Sequence, residues 1–69
     1  MLRKTINNVL YCRVELTDFE NEKHIGWLVP SPYNNKQYMI LPLYSGGTIS
    51  FSASGIKSIK HLSTGVILK

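Results

Sequence analysis

Disulfides have no place within this chain, because Cys12 is its only cysteine, and a cysteine-based zinc cluster is excluded for the same reason. There is no Asn-x-Ser/Thr sequon, and no apolar stretch follows Arg3 and Lys4 as it would in a secretory leader. A reducing, cytoplasmic location is therefore expected. The longest apolar run, residues 38–44, has seven residues and includes Pro42, far short of the roughly 20 that a spanning helix needs. No membrane association is expected.

Reactive constellations are also missing. No Gly-x-Ser-x-Gly elbow presents a serine, and Gly46-Gly47 leads into Thr48-Ile49-Ser50 rather than a phosphate-binding Gly-Lys-Ser/Thr loop. Cys12 falls on the apolar phase of its segment, where a buried thiol is inert. The only acids, Glu15, Asp18, Glu20 and Glu22, share one solvated segment, whereas paired-carboxylate hydrolysis needs acids facing each other across a cleft. His24 and His61 match no ligand-pair spacing and are expected at the surface near strand ends. The expectation is a non-enzyme with no catalytic residue, no metal and no cofactor.

What the chain does have is a two-residue apolar alternation, in residues 9–16, 23–29 and 48–53. Successive side chains of a strand point to opposite faces, so such runs describe half-buried β-strands. In the first run Leu10, Cys12, Val14 and Leu16 form the core face, opposite Val9, Tyr11, Arg13 and Glu15. In the second, Ile25, Trp27 and Val29 share a face, opposite His24, Gly26 and Leu28; Gly26 suits a bulge or sharp bend.

Residues 30–36, Pro-Ser-Pro-Tyr-Asn-Asn-Lys, are dense in turn formers and read as a protruding hairpin loop. Residues 37–43 resume as a strand with Met39, Leu41 and Leu43 on one face and Tyr38, Ile40 and Pro42 on the other. Pro42 lacks an amide donor and marks an edge or a bulge. Residues 44–47 form a tight turn into a strand with Ile49 and Phe51 inward, and Ile56 and Ile59 are spaced as in one helical turn. Residues 60–62 and 66–68 are extended around Ser63-Thr64-Gly65.

The predicted fold is all-β: five or six short antiparallel strands with a one-turn helix before the last strand. This layout, with Ile49-x-Phe51 and Ile56-x-x-Ile59, resembles small SH3-like and Sm-like barrels, an architectural likeness that carries no functional residue with it. Residues 1–69 make a single β-barrel domain in which residues 1–8 are read as a flexible N-terminal arm. So short a chain buries only roughly 60% of its unfolded surface, so self-association is the expected source of extra stability.

The net charge is +4, with every acid in one segment and five lysines from Lys23 onward, so the chain should carry an acidic pole and a basic remainder. The candidate partner-binding residues are Trp27, Tyr33, Asn34, Asn35, Lys36, Tyr38, Lys57 and Lys60, which combine aromatic faces with amide and ammonium groups. Scattered lysines and scarce arginine favour a protein partner over nucleic acid. The two apolar faces of residues 37–43 point to a homodimer through Met39, Ile40, Leu41 and Tyr44.

The function read from these features is a non-enzymatic interaction module that binds a larger macromolecule and modulates it, as an inhibitor acting by steric blocking. Domains of this size and composition suit regulators carried by phages and other mobile elements. The alternative is a small barrel that binds single-stranded RNA or DNA through a basic aromatic face.

Overall fold

The computed structural model describes residues 1–43 and 47–69. A short helix α1 (Arg3–Asn7) precedes strands β1 (Arg13–Asp18), β2 (Lys23–Pro30), β3 (Gln37–Pro42) and β4 (Ile49–Ser52). A 3₁₀ turn (Ala53–Gly55) then leads to β5 (Ile56–His61) and β6 (Ile67–Leu68). The strands form one antiparallel sheet in the order β4-β3-β2-β1-β5-β6. The all-β expectation holds; a 3₁₀ turn is present as well, but at Ala53–Gly55 before β5, and not at Ile56–Ile59 or before the last strand, β6. The turn expected at residues 44–47 falls largely on Tyr44, Ser45 and Gly46, which lie outside the described residues.

The sheet is rolled. β4 and β5 are four strand positions apart, about 19 Å in a flat sheet, yet the chain from Ser52 to Ile56 reaches at most about 14 Å. Across the inner face, the rings of His24 on β2 and Phe51 on β4 lie 5.0 Å apart between centroids. Overall extents of 29 × 28 × 23 Å are those of a globule and not of a single flat layer. The described residues show no ladder joining β4 to β6, so the sheet remains open.

Inside the roll, Val14, Leu16, Leu28, Tyr38, Ile40, Ile56 and Ile59 form the core with Ile6 and Val9. Alternation thus predicted the inner side of β1, where Val14 and Leu16 are fully buried while Leu10 and Cys12 only pack against the core. Val9, expected on the opposite face, is buried, because residues 8–12 are turns and bends that break the strand phase. Tyr11 there has φ 65°, left-handed backbone that costs a non-glycine residue about 1 kcal/mol or more.

Residues 1–8 do not form a flexible arm in the structure. Leu2 stands at the N-cap of α1, Ile6 is fully buried in the core cluster, and Tyr38 donates its hydroxyl hydrogen to Asn7 Oδ1 at 3.1 Å. The Met1 ammonium donates to the carbonyls of Ala53 (2.8 Å) and Ile56 (3.0 Å).

Ile56 and Ile59 lie on a strand and not on a helical turn. Leu16 faces Ile59 and Thr17 faces Ser58, but Asp18 faces Ile56, so β5 carries one extra residue, Lys57, at a bulge. The bulge shifts the phase by one, and both isoleucines turn inward, fully buried. Gly26 sits in no bulge. It pairs directly with Pro42 and Val14, and a β-carbon there would press on the Leu41 carbonyl and come within 2.7 Å of Ile40 Cγ2. Pro42 lies beyond the end of the β3–β4 ladder, where no β4 neighbour asks for its missing N–H.

Candidate functional site

The β2–β3 loop is built to hold its side chains outward. Ser31 is buried, and its Oγ accepts hydrogen bonds from the amides of Tyr33 (3.2 Å) and Asn34 (3.3 Å). Asn34 Oδ1 accepts from the Lys36 amide (2.9 Å), and the loop closes through Ser31 N to Gln37 O and Gln37 N to Asn34 O, both 3.0 Å. With its neighbours fixed, Tyr33 projects and is 89% exposed, flanked by exposed Asn34, Asn35 and Lys36. Arg3 on α1 donates to the Asn35 carbonyl at 2.8 Å, which brings a second basic residue to this end of the molecule.

The outer face of the sheet carries the second group. Trp27 is 43% exposed and Ile25 49% exposed. They sit two residues apart on β2, an interior strand with a neighbour on each side. Trp27 pairs with Arg13 on β1 and Leu41 on β3, and Ile25 with Glu15, which pairs in turn with Lys60, itself opposite Ile67. Val29 and Met39 extend the same face toward the loop. Ile25, Tyr11 (66% exposed) and Arg3 are surface residues that the sequence reading did not select. Exposure of Ile25 followed from its phase with Trp27, but nothing in the local sequence signals the left-handed turn at Tyr11.

Of the residues chosen from sequence, Tyr33, Asn34, Asn35 and Lys36 come together on the loop and Trp27 and Lys60 share the outer face, whereas Lys57 is apart. Its Nζ donates to Asn21 Oδ1 (2.7 Å) at the β1–β2 turn, next to the acidic segment. Tyr38 is a core residue, 3% exposed, with its ring on the inner face of β3, so it offers no surface for stacking. Met39 and Ile40 are 7% and 3% exposed in the single chain. Ile40 is hidden inside the roll, and Met39, which shares the outer phase with Val29, is nonetheless buried within the single chain. Leu41 stays half-buried, and Tyr44 lies outside the described residues. Ile49, expected to face inward, shares the inner side with its partner Ile40 but is 44% exposed, because β4 is an edge strand.

The acidic pole is organised by Asp18. Its Oδ1 accepts from the amides of Glu20 (2.9 Å) and Glu22 (3.0 Å), and its Oδ2 lies 3.0 Å from His24 Nε2. The bond to His24, aided by the two backbone amides, holds the Asp18 carboxyl below the usual carboxylate range. A depressed folded value means stability that is present above the unfolded value near pH 4 and lost as pH falls through the folded one. Urea midpoints measured from pH 5 down toward pH 2 are expected to fall, and Asp18→Asn is expected to flatten that fall.

His61 is on β5, on the far side of β1 from His24 and out of register with it, so the two histidines do not meet. His61 Nδ1 accepts from the Thr64 amide at 3.3 Å. Cys12 is a free, half-buried thiol packed against the core. No helix among the described residues is long and apolar enough to cross a membrane. The chain matches no protein-family model, no curated protein and no solved structure.

Proposed function

We propose that this chain is a small SH3-like/Sm-like barrel that acts as a non-enzymatic interaction module, docking a protein partner on the outer face of its sheet and blocking that partner sterically. One observation carries the reading: Ile25 and Trp27 stand half exposed, side by side, in the middle of a sheet whose interior is otherwise filled. Strand edges explain stray exposed apolar residues, but an interior strand has no edge. Half-exposed tryptophans on such faces are frequent binding hot spots. The hydrogen-bonded loop carrying Tyr33 stands at the Val29 end of that strand.

Trp27→Ala is expected to lower partner affinity at least about tenfold while costing little stability, since the ring is only partly buried. The test places a photo-crosslinking residue at position 27 in one sample and at position 57 in another, in a native-host extract. A nuclease-resistant protein adduct formed only from position 27 supports the reading. Equal labelling from both positions would sink it.

A second reading rests on the bond between Arg3 and Asn35, which sets a basic helix beside the exposed Tyr33 and Lys36. That end could pair phosphates with ammonium and guanidinium groups and stack a base on Tyr33. It predicts single-stranded nucleic acid binding that weakens steeply with salt.

A further inference from the structure

We propose that the β1–β2 turn is a binding site for a divalent transition-metal ion of the zinc class, with Asp18, Glu22 and His24 as its protein ligands. One ligand atom from each residue lies within 4.8 Å of the other two. Ligands around zinc, about 2.0–2.2 Å from the ion, stand roughly 3.0–3.5 Å from one another. Asp18 Oδ2 and His24 Nε2 already lie 3.0 Å apart across a hydrogen bond, so an ion that displaces the Nε2 proton to solvent finds two of the three ligands at coordination spacing. Glu22 is exposed and on a flexible stem, free to close the remaining gap.

The electrostatics also ask for a cation. Two carboxylates converge on one imidazole, and Glu22 has no ion pair among the described residues. The nearby ammonium groups are engaged elsewhere: Lys57 on Asn21 Oδ1, and Lys23 on Thr17 Oγ1 (3.3 Å) and Glu15 (3.6 Å). A dipositive ion would satisfy both carboxylates where the hydrogen bond from His24 serves only one.

The imidazole is held from a second side as well. Its ring, 16% exposed, packs against Phe51 from β4, which fixes its plane while Nε2 points at the turn. Asp18 is oriented by the Glu20 and Glu22 amides on its other oxygen. One nitrogen and two oxygen donors suit zinc, cobalt or manganese better than a soft copper(I) ion. Three protein ligands leave coordination positions open to water or to a donor from a partner.

The full chain is titrated with zinc chloride by calorimetry, beside Glu22→Gln, His24→Gln and His61→Gln. Glu22→Gln removes a charge from an exposed side chain that makes no structural bond, so it separates coordination from folding. The expected result is one ion per chain, affinity lowered at least about tenfold by Glu22→Gln and further by His24→Gln, and unchanged affinity in His61→Gln. Cobalt(II) should broaden amide resonances at residues 18–24 first. No zinc uptake at millimolar concentration, affinity indifferent to Glu22→Gln, or loss in His61→Gln equal to that in His24→Gln would overturn the assignment.

Discussion

Gly26→Ala is expected to remove most of the chain's stability at room temperature. The added β-carbon would press on the backbone carbonyl of Leu41 and stand 2.7 Å from Ile40 Cγ2 and 2.8 Å from Leu41 C. A flexible side chain could swing aside, but a carbonyl held in the β2–β3 ladder can move only by parting the two strands. Overpacking of that kind costs about 4 kcal/mol or more, against roughly 5 kcal/mol of total stability for a domain of this size. Gly47→Ala is the control, since a β-carbon there meets nothing within 4 Å, and its expected change is within about 0.5 kcal/mol. Urea denaturation of the two variants side by side measures the difference. A Gly26→Ala protein with the parent's midpoint would mean that the strands do not approach as described.

The second large effect is expected at Ile6. Truncation to alanine removes most of a fully buried side chain that closes one opening of the rolled sheet, and such cavities cost about 3 kcal/mol. A flexible arm would show no loss at all, so this variant discriminates sharply between the two accounts of residues 1–8. Asn7→Ala, which takes the acceptor from the Tyr38 hydroxyl, is expected to cost about 1 kcal/mol by the same assay.

Much of the sheet was legible because alternation is a local property. The faces of β2 are those that Ile25, Trp27 and Val29 on one side and Gly26 and Leu28 on the other imply, and the turn-rich residues before Gln37 do form a loop. Failures arose where one residue changed the phase or where burial was decided by a distant element. Arg-Lys-Thr-Ile-Asn has no apolar period, and its helix is stabilised by placing Ile6 in a core made by other strands. Ile56 and Ile59 have helical spacing, but the bulge at Lys57 yields the same three-residue interval on a strand.

The site was legible in part for the same reason. Tyr33 is exposed because its loop chemistry is local, whereas the fate of Tyr38 depends on how tightly the sheet rolls. The meeting of Asp18, Glu22 and His24 is a property of the turn. Linear spacing between His24 and His61 pointed away from it.

The bulge at Lys57 also means that, between Ile56 and Ile59, backbone conformation and not sequence spacing decides which way the side chains turn. Lys57 is exposed, so its identity can vary with little consequence for the interior. The bulged backbone cannot be lost with Lys57 still in place: in a regular strand the three-residue interval would turn Ile56 and Ile59 to opposite sides of the sheet, whereas a strand one residue shorter would keep both inward with no bulge at all. Relatives of this chain should therefore vary freely in residue type at this position, and one that lacks the residue altogether should keep both isoleucines in the core.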